Sequence, residues 1–160
     1  MTMTTNPPAV SDLEGLTVTR AVTIDAPVEK VWAAITEPEH ISRWFGQRAV
    51  LDELALGARG VFSFDGYGDF PVLIEELEPL RVIAYRWSND NARALNGTDV
   101  DLEHSTVFRF TLERAGAGTV LTVVERGFGT LTDPQAALES NRGGWTAELD
   151  ELVAYVESIA

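Results

Sequence analysis

A chain of 160 residues with 45% hydrophobic content is long enough to bury a sizeable core, and its lack of cysteine excludes disulfide frameworks, thiolate metal centres and cysteine nucleophiles. With 25 acidic against 12 basic residues the net charge is −13, which repels phosphate backbones and anionic leaflets, so neither nucleic acid nor a membrane is an expected partner. Residues 1–8 carry no basic or apolar block of the secretory kind, and no apolar run approaches the roughly 20 residues of a membrane span, so the expected location is cytoplasmic.

In chain order, residues 1–14 are mostly small and polar, include Pro7-Pro8, and read as a flexible tail ahead of a single domain over 15–160. Residues 17–25 alternate Val18, Arg20, Val22 and Ile24 with Thr17, Thr19, Ala21 and Thr23, the two-residue period of a strand. Pro27 suits the first turn of a helix whose buried side is Val28, Val31, Trp32 and Ile35. Glu37-Pro38 breaks it, and Ile41, Trp44 and Phe45 mark a second short helical segment.

Six strands are expected next, over 47–52, 59–65, 70–77, 82–88, 106–113 and 119–127. Gly57, Gly66-Tyr67-Gly68, Glu78-Pro79 and Ala115-Gly116-Ala117-Gly118 supply short turns, so neighbouring strands are mostly antiparallel. The polar connection 89–103 is the exception in length. From Pro134 the period changes. Trp145, Leu149, Leu152, Val156 and Ile159 fall four, three, four and three apart, one face of an amphipathic helix over 134–160. A sheet followed by one long helix must lay the helix across the sheet, and function is expected in the room between them.

This order, with Ile24-Asp25-Ala26-Pro27 before Val31-Trp32, then Ile41-Ser42-Arg43-Trp44-Phe45 and Ala84-Tyr85-Arg86-Trp87, resembles a known superfamily. Gly118-Thr119, Glu125-Arg126-Gly127-Phe128 and Gly143-Gly144-Trp145 with Leu149 and Leu152 complete the match over residues 18–160. The resemblance is to the START-type or SRPBCC helix-grip proteins, and within them to bacterial relatives of the activator of the heat-shock-protein-90 ATPase. It implies an α+β fold: a curved antiparallel sheet around a long C-terminal helix, with two short helices after the first strand. One departure stands out, since the final strand of such proteins often carries a histidine near the place of Glu125.

A small-molecule cavity needs apolar walls and a few polar groups. Phe62, Phe64, Tyr85, Trp87, Phe108, Phe110 and Leu149 are the expected walls, with His104 and Glu125 as polar groups. Glu125 shares its phase with Thr119, Leu121 and Val123, so if these face the helix it is a carboxyl in an apolar pocket. The alternative is an ion pair with a residue such as Arg20. His104 shares the phase of Thr106, Phe108 and Phe110 and is placed at the cavity rim, whereas His40 reads as a solvated helix residue.

No metal or cofactor is expected. Two distant histidines make no zinc site, Asn96, Asp99, Asp101 and Glu103 lack calcium-loop spacing, and Gly66-Tyr67-Gly68 opens no phosphate-binding helix. Three functions compete. The first is a container for a hydrophobic or aromatic small molecule, with no catalytic residue. The second is a polyketide cyclase-like enzyme of the same fold, using Glu125, His104 or Tyr85 for proton transfer. The third, implied by the resemblance, is a chaperone-interacting regulator; a homodimer is compatible with each. The container is the favoured reading.

Overall fold

Burial alternates without a break along Thr17–Ile24 (β2): Val18, Arg20, Val22 and Ile24 are buried, and Thr19, Ala21 and Thr23 face solvent. A computed structural model describes residues 6–88, 90 and 99–160 of the chain. Among these, seven further strands are formed. They are Val10–Asp12 (β1), Arg48–Leu51 (β3), Arg59–Phe64 (β4), Gly68–Glu78 (β5), Val82–Trp87 (β6), Thr106–Ala115 (β7) and Gly118–Arg126 (β8). The helices are Val28–Thr36 (α1), Pro38–Trp44 (α2) and Pro134–Ile159 (α3). The fold is α+β and of the helix-grip type.

All eight strands lie in one sheet in the order β1-β2-β8-β7-β6-β5-β4-β3, and every neighbouring pair is antiparallel. From β3 to β8 the chain meanders, each strand pairing with the next. The pairing of β2 with β8 is the long-range one, with Val18 opposite Glu125 and Ile24 opposite Thr119. A register shift between Ile74 and Glu76 in β5 adds local bend and twist to the sheet.

Helix ends follow from local chemistry. Glu37 is extended (φ −93°, ψ 123°) between α1 and α2, because the residue before a proline is disfavoured in the helical region. Asp133 caps α3 by accepting from the Ala136 N–H at 3.2 Å, with Pro134 in the first turn where its missing N–H costs nothing. Leu138, Trp145, Leu149, Leu152 and Val156 form the buried stripe of α3. Ile159, expected on that stripe, is 42% exposed at the last helical residue.

Part of the expected tail is held. Val10, Ser11 and Asp12 pair with Thr19, Val18 and Thr17, covering the edge groups that β2 would otherwise expose. The Asn6 side chain donates to Thr23 O at 3.3 Å and accepts from Thr23 N at 2.8 Å, and the Ala9 N–H donates to Thr146 Oγ1 at 3.0 Å. Residues 1–5 lie outside the described residues, as do 89 and 91–98 of the long connection.

Arg20 is buried between sheet and helix. Its guanidinium donates to the Thr146 carbonyl at 2.7 Å, the Trp145 carbonyl at 3.3 Å, Asp150 Oδ1 at 2.6 Å and Pro7 O at 2.9 Å. Its carboxylate partner is thus Asp150 rather than Glu125. His40 is also engaged, with Nδ1 2.6 Å from the Tyr155 hydroxyl, so it joins α2 to α3 instead of standing in solvent. No helix among the described residues is both long and apolar enough to cross a membrane.

Trp145 is 3% exposed on the buried stripe of α3. Truncation of a buried tryptophan loses transfer energy and leaves a cavity, so Trp145→Ala is expected to cost about 3–5 kcal/mol. Urea unfolding of parent and variant measures it, and a loss under about 1 kcal/mol would contradict this placement.

Candidate functional site

Glu125 lies on β8 in phase with Thr119, Leu121 and Val123, all buried, so its side chain faces the helix. It has no exposed surface and takes hydrogen bonds from four side chains. Oε1 accepts from Trp145 Nε1 at 2.7 Å and Asn141 Nδ2 at 3.0 Å; Oε2 accepts from Trp87 Nε1 at 3.0 Å and Thr106 Oγ1 at 2.5 Å. Indole N–H and amide NH2 groups only donate, so the surroundings are built for a pure acceptor. Burial pushes this carboxyl above its ordinary range, while the bonds from Thr106, Trp87, Trp145 and Asn141 pull it back.

The two indoles that Glu125 orients also wall a cleft. Phe45, at the end of α2, stacks between them: its ring centroid is 5.5 Å from Trp145 at 11° and 5.7 Å from Trp87 at 29°. Phe64 on β4 and Phe70 on β5 extend the wall, with ring centroids 5.5 Å apart. Tyr67 occupies the turn between them, held by Gly66 and Gly68 at φ 82° and 107°, values that suit glycine. The side formed by α3 carries Ser140, Asn141, Gly144, Trp145 and Glu148, and the half-open cleft has a volume of about 340 Å³.

Glu148 is the titratable acid of this cleft. Its Oε2 is buried and has no hydrogen-bond partner among the described residues. Burial first, and the nearby Glu151 second, push its carboxyl from an ordinary 4.5 up to about 7. The chain thus presents two shielded carboxyls of opposite character. Glu125 is sealed and saturated with donors; Glu148 meets the cleft with an open acceptor.

Of the expected wall residues, Phe64 and Trp87 line the cleft. Phe62, Tyr85, Phe108, Phe110 and Leu149 lie in the packed core beside it. The Tyr85 hydroxyl donates to the Ile35 carbonyl at 2.7 Å, and burial raises its pKa, so it is a structural donor. His104 stands two residues before β7 and pairs with Asp101 Oδ2 at 3.1 Å, outside the cleft lining. Glu125 supports the walls from behind. Among the described residues no three His, Asp or Glu side chains are grouped to hold a metal ion, and Asn96 of the acidic loop lies outside them.

From α3 only Leu149 is expected in the wall, whereas the helix lines the cleft with Ser140, Asn141, Gly144, Trp145 and Glu148. Asn141, Gly144, Trp145 and Glu148 are spaced three, one and three apart, a single helical stripe that includes two polar groups and a glycine gap. That signal was present, but it lay beside the apolar stripe and was masked by it.

Residues 25–157 match the family model described as activator of Hsp90 ATPase homolog 1-like protein. Among solved structures, protein MLL2253 from Mesorhizobium loti is 26% identical with a TM-score of 0.74, covering 90% of this chain and 98% of its own. DynU16, from the dynemicin biosynthetic locus, is 25% identical with a TM-score of 0.69, covering 88% of this chain and 47% of its own. The Aha1 protein of Colwellia psychrerythraea, described as a dimer in solution, shares the fold at 17% identity and a TM-score of 0.68, over 88% of this chain and 96% of its own. None of the curated proteins compared matches the sequence.

Two predictions follow from the paired carboxyls. Glu125→Gln turns an acceptor oxygen into a donor among donors, so a loss of about 1–3 kcal/mol is expected in urea unfolding, with altered tryptophan emission. For Glu148 the folded pKa lies above the unfolded one, so its contribution is complete below about pH 4.5 and is lost as pH rises through about 7. Glu148→Gln should therefore gain stability relative to the parent between pH 5 and pH 8, as read from the difference in urea midpoints.

Proposed function

The chain belongs to the activator of Hsp90 ATPase homolog 1-like family, and on that premise we propose that it holds a hydrophobic or aromatic small molecule between sheet and C-terminal helix. The observation that carries this reading is the cleft of about 340 Å³ walled by Phe45, Phe64, Phe70, Trp87 and Trp145. Its volume falls within the range of small-molecule sites, and its walls offer aromatic faces with few polar groups. The likeness to a protein from a biosynthetic locus agrees with a small organic ligand.

Proton-transfer chemistry on the expected residues is the weaker reading. Tyr85 is committed to a helix carbonyl, His104 to Asp101 and Glu125 to four donors. A general base must reach the proton it abstracts. The chaperone-regulator reading rests on the family's description, and self-association on the dimer of the Colwellia psychrerythraea protein. Sedimentation of the purified chain tests the latter.

Gly144 provides the direct test. A Cβ built there meets nothing within 4 Å, and the residue borders the cleft. Gly144→Leu should fill the space from the helix side while gaining somewhat less than about 1 kcal/mol of helix propensity. A neutral aromatic probe, 2-naphthylmethanol, should bind the parent saturably and change tryptophan fluorescence. The leucine variant should bind at least about tenfold more weakly with stability unimpaired. Equal binding by both proteins, or none by the parent, would reject the cleft as the site.

A further inference from the structure

We propose that the ligand of this cleft carries a protonated amine, seated on the Glu148 carboxylate and enclosed by the aromatic rings. This rests on the cleft being a small-molecule site, as argued above. Its starting point is Glu148 Oε2, the one buried side-chain polar atom without a hydrogen-bond partner among the described residues. Leaving a buried acceptor unsatisfied costs about 1–3 kcal/mol, and more when it is charged. In native structures such an atom calls for an explanation, a role in binding or catalysis among them.

The surroundings select the partner's charge. Among the described residues no lysine, arginine or histidine lines the cleft, so an anionic ligand would meet the Glu148 acid with none of these residues to offset it. Trp87, Trp145, Phe45, Phe64 and Phe70 contribute rings, whose negative faces attract an organic ammonium group. The net charge of −13 raises the local concentration of cations around the whole molecule. Asn141 lies two helical turns before Glu148 on the same stripe. Its amide nitrogen is bound to Glu125, and its carbonyl oxygen makes no hydrogen bond among the described residues, so a second acceptor is available to an N–H donor.

Proton linkage gives the proposal a further readout. Glu148 titrates near neutrality because of burial and Glu151. Facing it among the described residues, the end of α2, β4, β5 and β6 contribute Phe45, Phe64, Phe70 and Trp87 to the lining, and the turn into β5 contributes Tyr67. Glu125, on β8, is sealed behind Trp145 and Asn141. An ammonium ligand favours the ionised acid and expels its proton. Affinity for an amine should therefore rise by up to roughly tenfold from pH 6 to pH 8, while the amine itself stays protonated.

The experiment is calorimetric titration of the full chain at pH 7.5 with three ligands of matched shape: 2-naphthylmethylamine, 2-naphthylmethanol and 2-naphthylacetate. The amine is expected to bind at least about tenfold more tightly than the alcohol, with the acetate weakest and proton release accompanying the amine alone. Glu148→Gln should erase the advantage of the amine and its pH dependence while still binding the alcohol, which shows that the variant is folded. If the alcohol binds and the amine binds no tighter, the amine assignment falls and the cleft reading stands. Tightest binding by the acetate overturns the amine assignment too, and silence from all three ligands overturns both.

Discussion

A single buried carboxyl organises the interior. Glu125 has lost all contact with water, and its two oxygens are served by Trp87 on β6, Thr106 on β7, and Asn141 and Trp145 on α3. An unpaired charge in that position would be costly, so the donors must arrive together and in place. Hydrophobic packing alone tolerates sliding and rotation of a helix on a sheet. Two indole N–H groups converging on one carboxyl do not, because each bond depends on direction as well as distance. The rotation of α3 about its axis is thereby set, and so are the planes of Trp87 and Trp145. Phe45 then fits between the two ring faces, and the cleft acquires its wall.

Arg20 makes the complementary attachment. Its planar fork of donors reaches two carbonyls inside α3, the carboxylate of Asp150 and the carbonyl of Pro7. Helix carbonyls already accept one bond within the helix, and their second lone pair remains for a donor such as this. A lysine could not span these acceptors, because an ammonium is a single point of charge. Arg20 and Glu125 therefore lie on the same side of the sheet without forming a pair. Each instead ties a different stretch of α3 to the strands, and Arg20 also secures the segment leading to β1.

Glu125 and Glu148 show how environment separates two identical side chains. Both lose water on folding, and both are raised above the ordinary carboxyl range by that loss. Glu125 is compensated internally and belongs to the architecture. Glu148, across the cleft from the phenylalanines, receives no protein donor among the described residues and stands beside another acid, Glu151. A folded chain retains such an uncompensated group only at a small cost relative to its whole stability, and local departures from full satisfaction of this kind concentrate at functional sites.

The sequence by itself determined the elements. Alternation at Val18–Ile24, the proline at 38, Asp133-Pro134 and the stripe from Trp145 to Val156 are local signals, because propensity, capping and periodicity act over a few residues. Their order was enough to indicate a helix laid on an antiparallel sheet, and to mark Glu125 as a carboxyl facing inward if its strand kept phase. Tertiary structure alone decided which residues share a space. The β2–β8 pairing brings residue 18 opposite residue 125, a contact that no local pattern encodes. Tyr85, Phe108 and Phe110 share the face of Trp87 but sit where neighbouring rings and α1 close over them, whereas Phe64, Phe70 and Trp87 sit where the helix leaves a gap. Alternation reports the face of a strand and not the position along it at which a cavity opens. For the same reason helical period alone does not single out Glu148, one residue before the buried Leu149; only the fold sets the aromatic walls beside it.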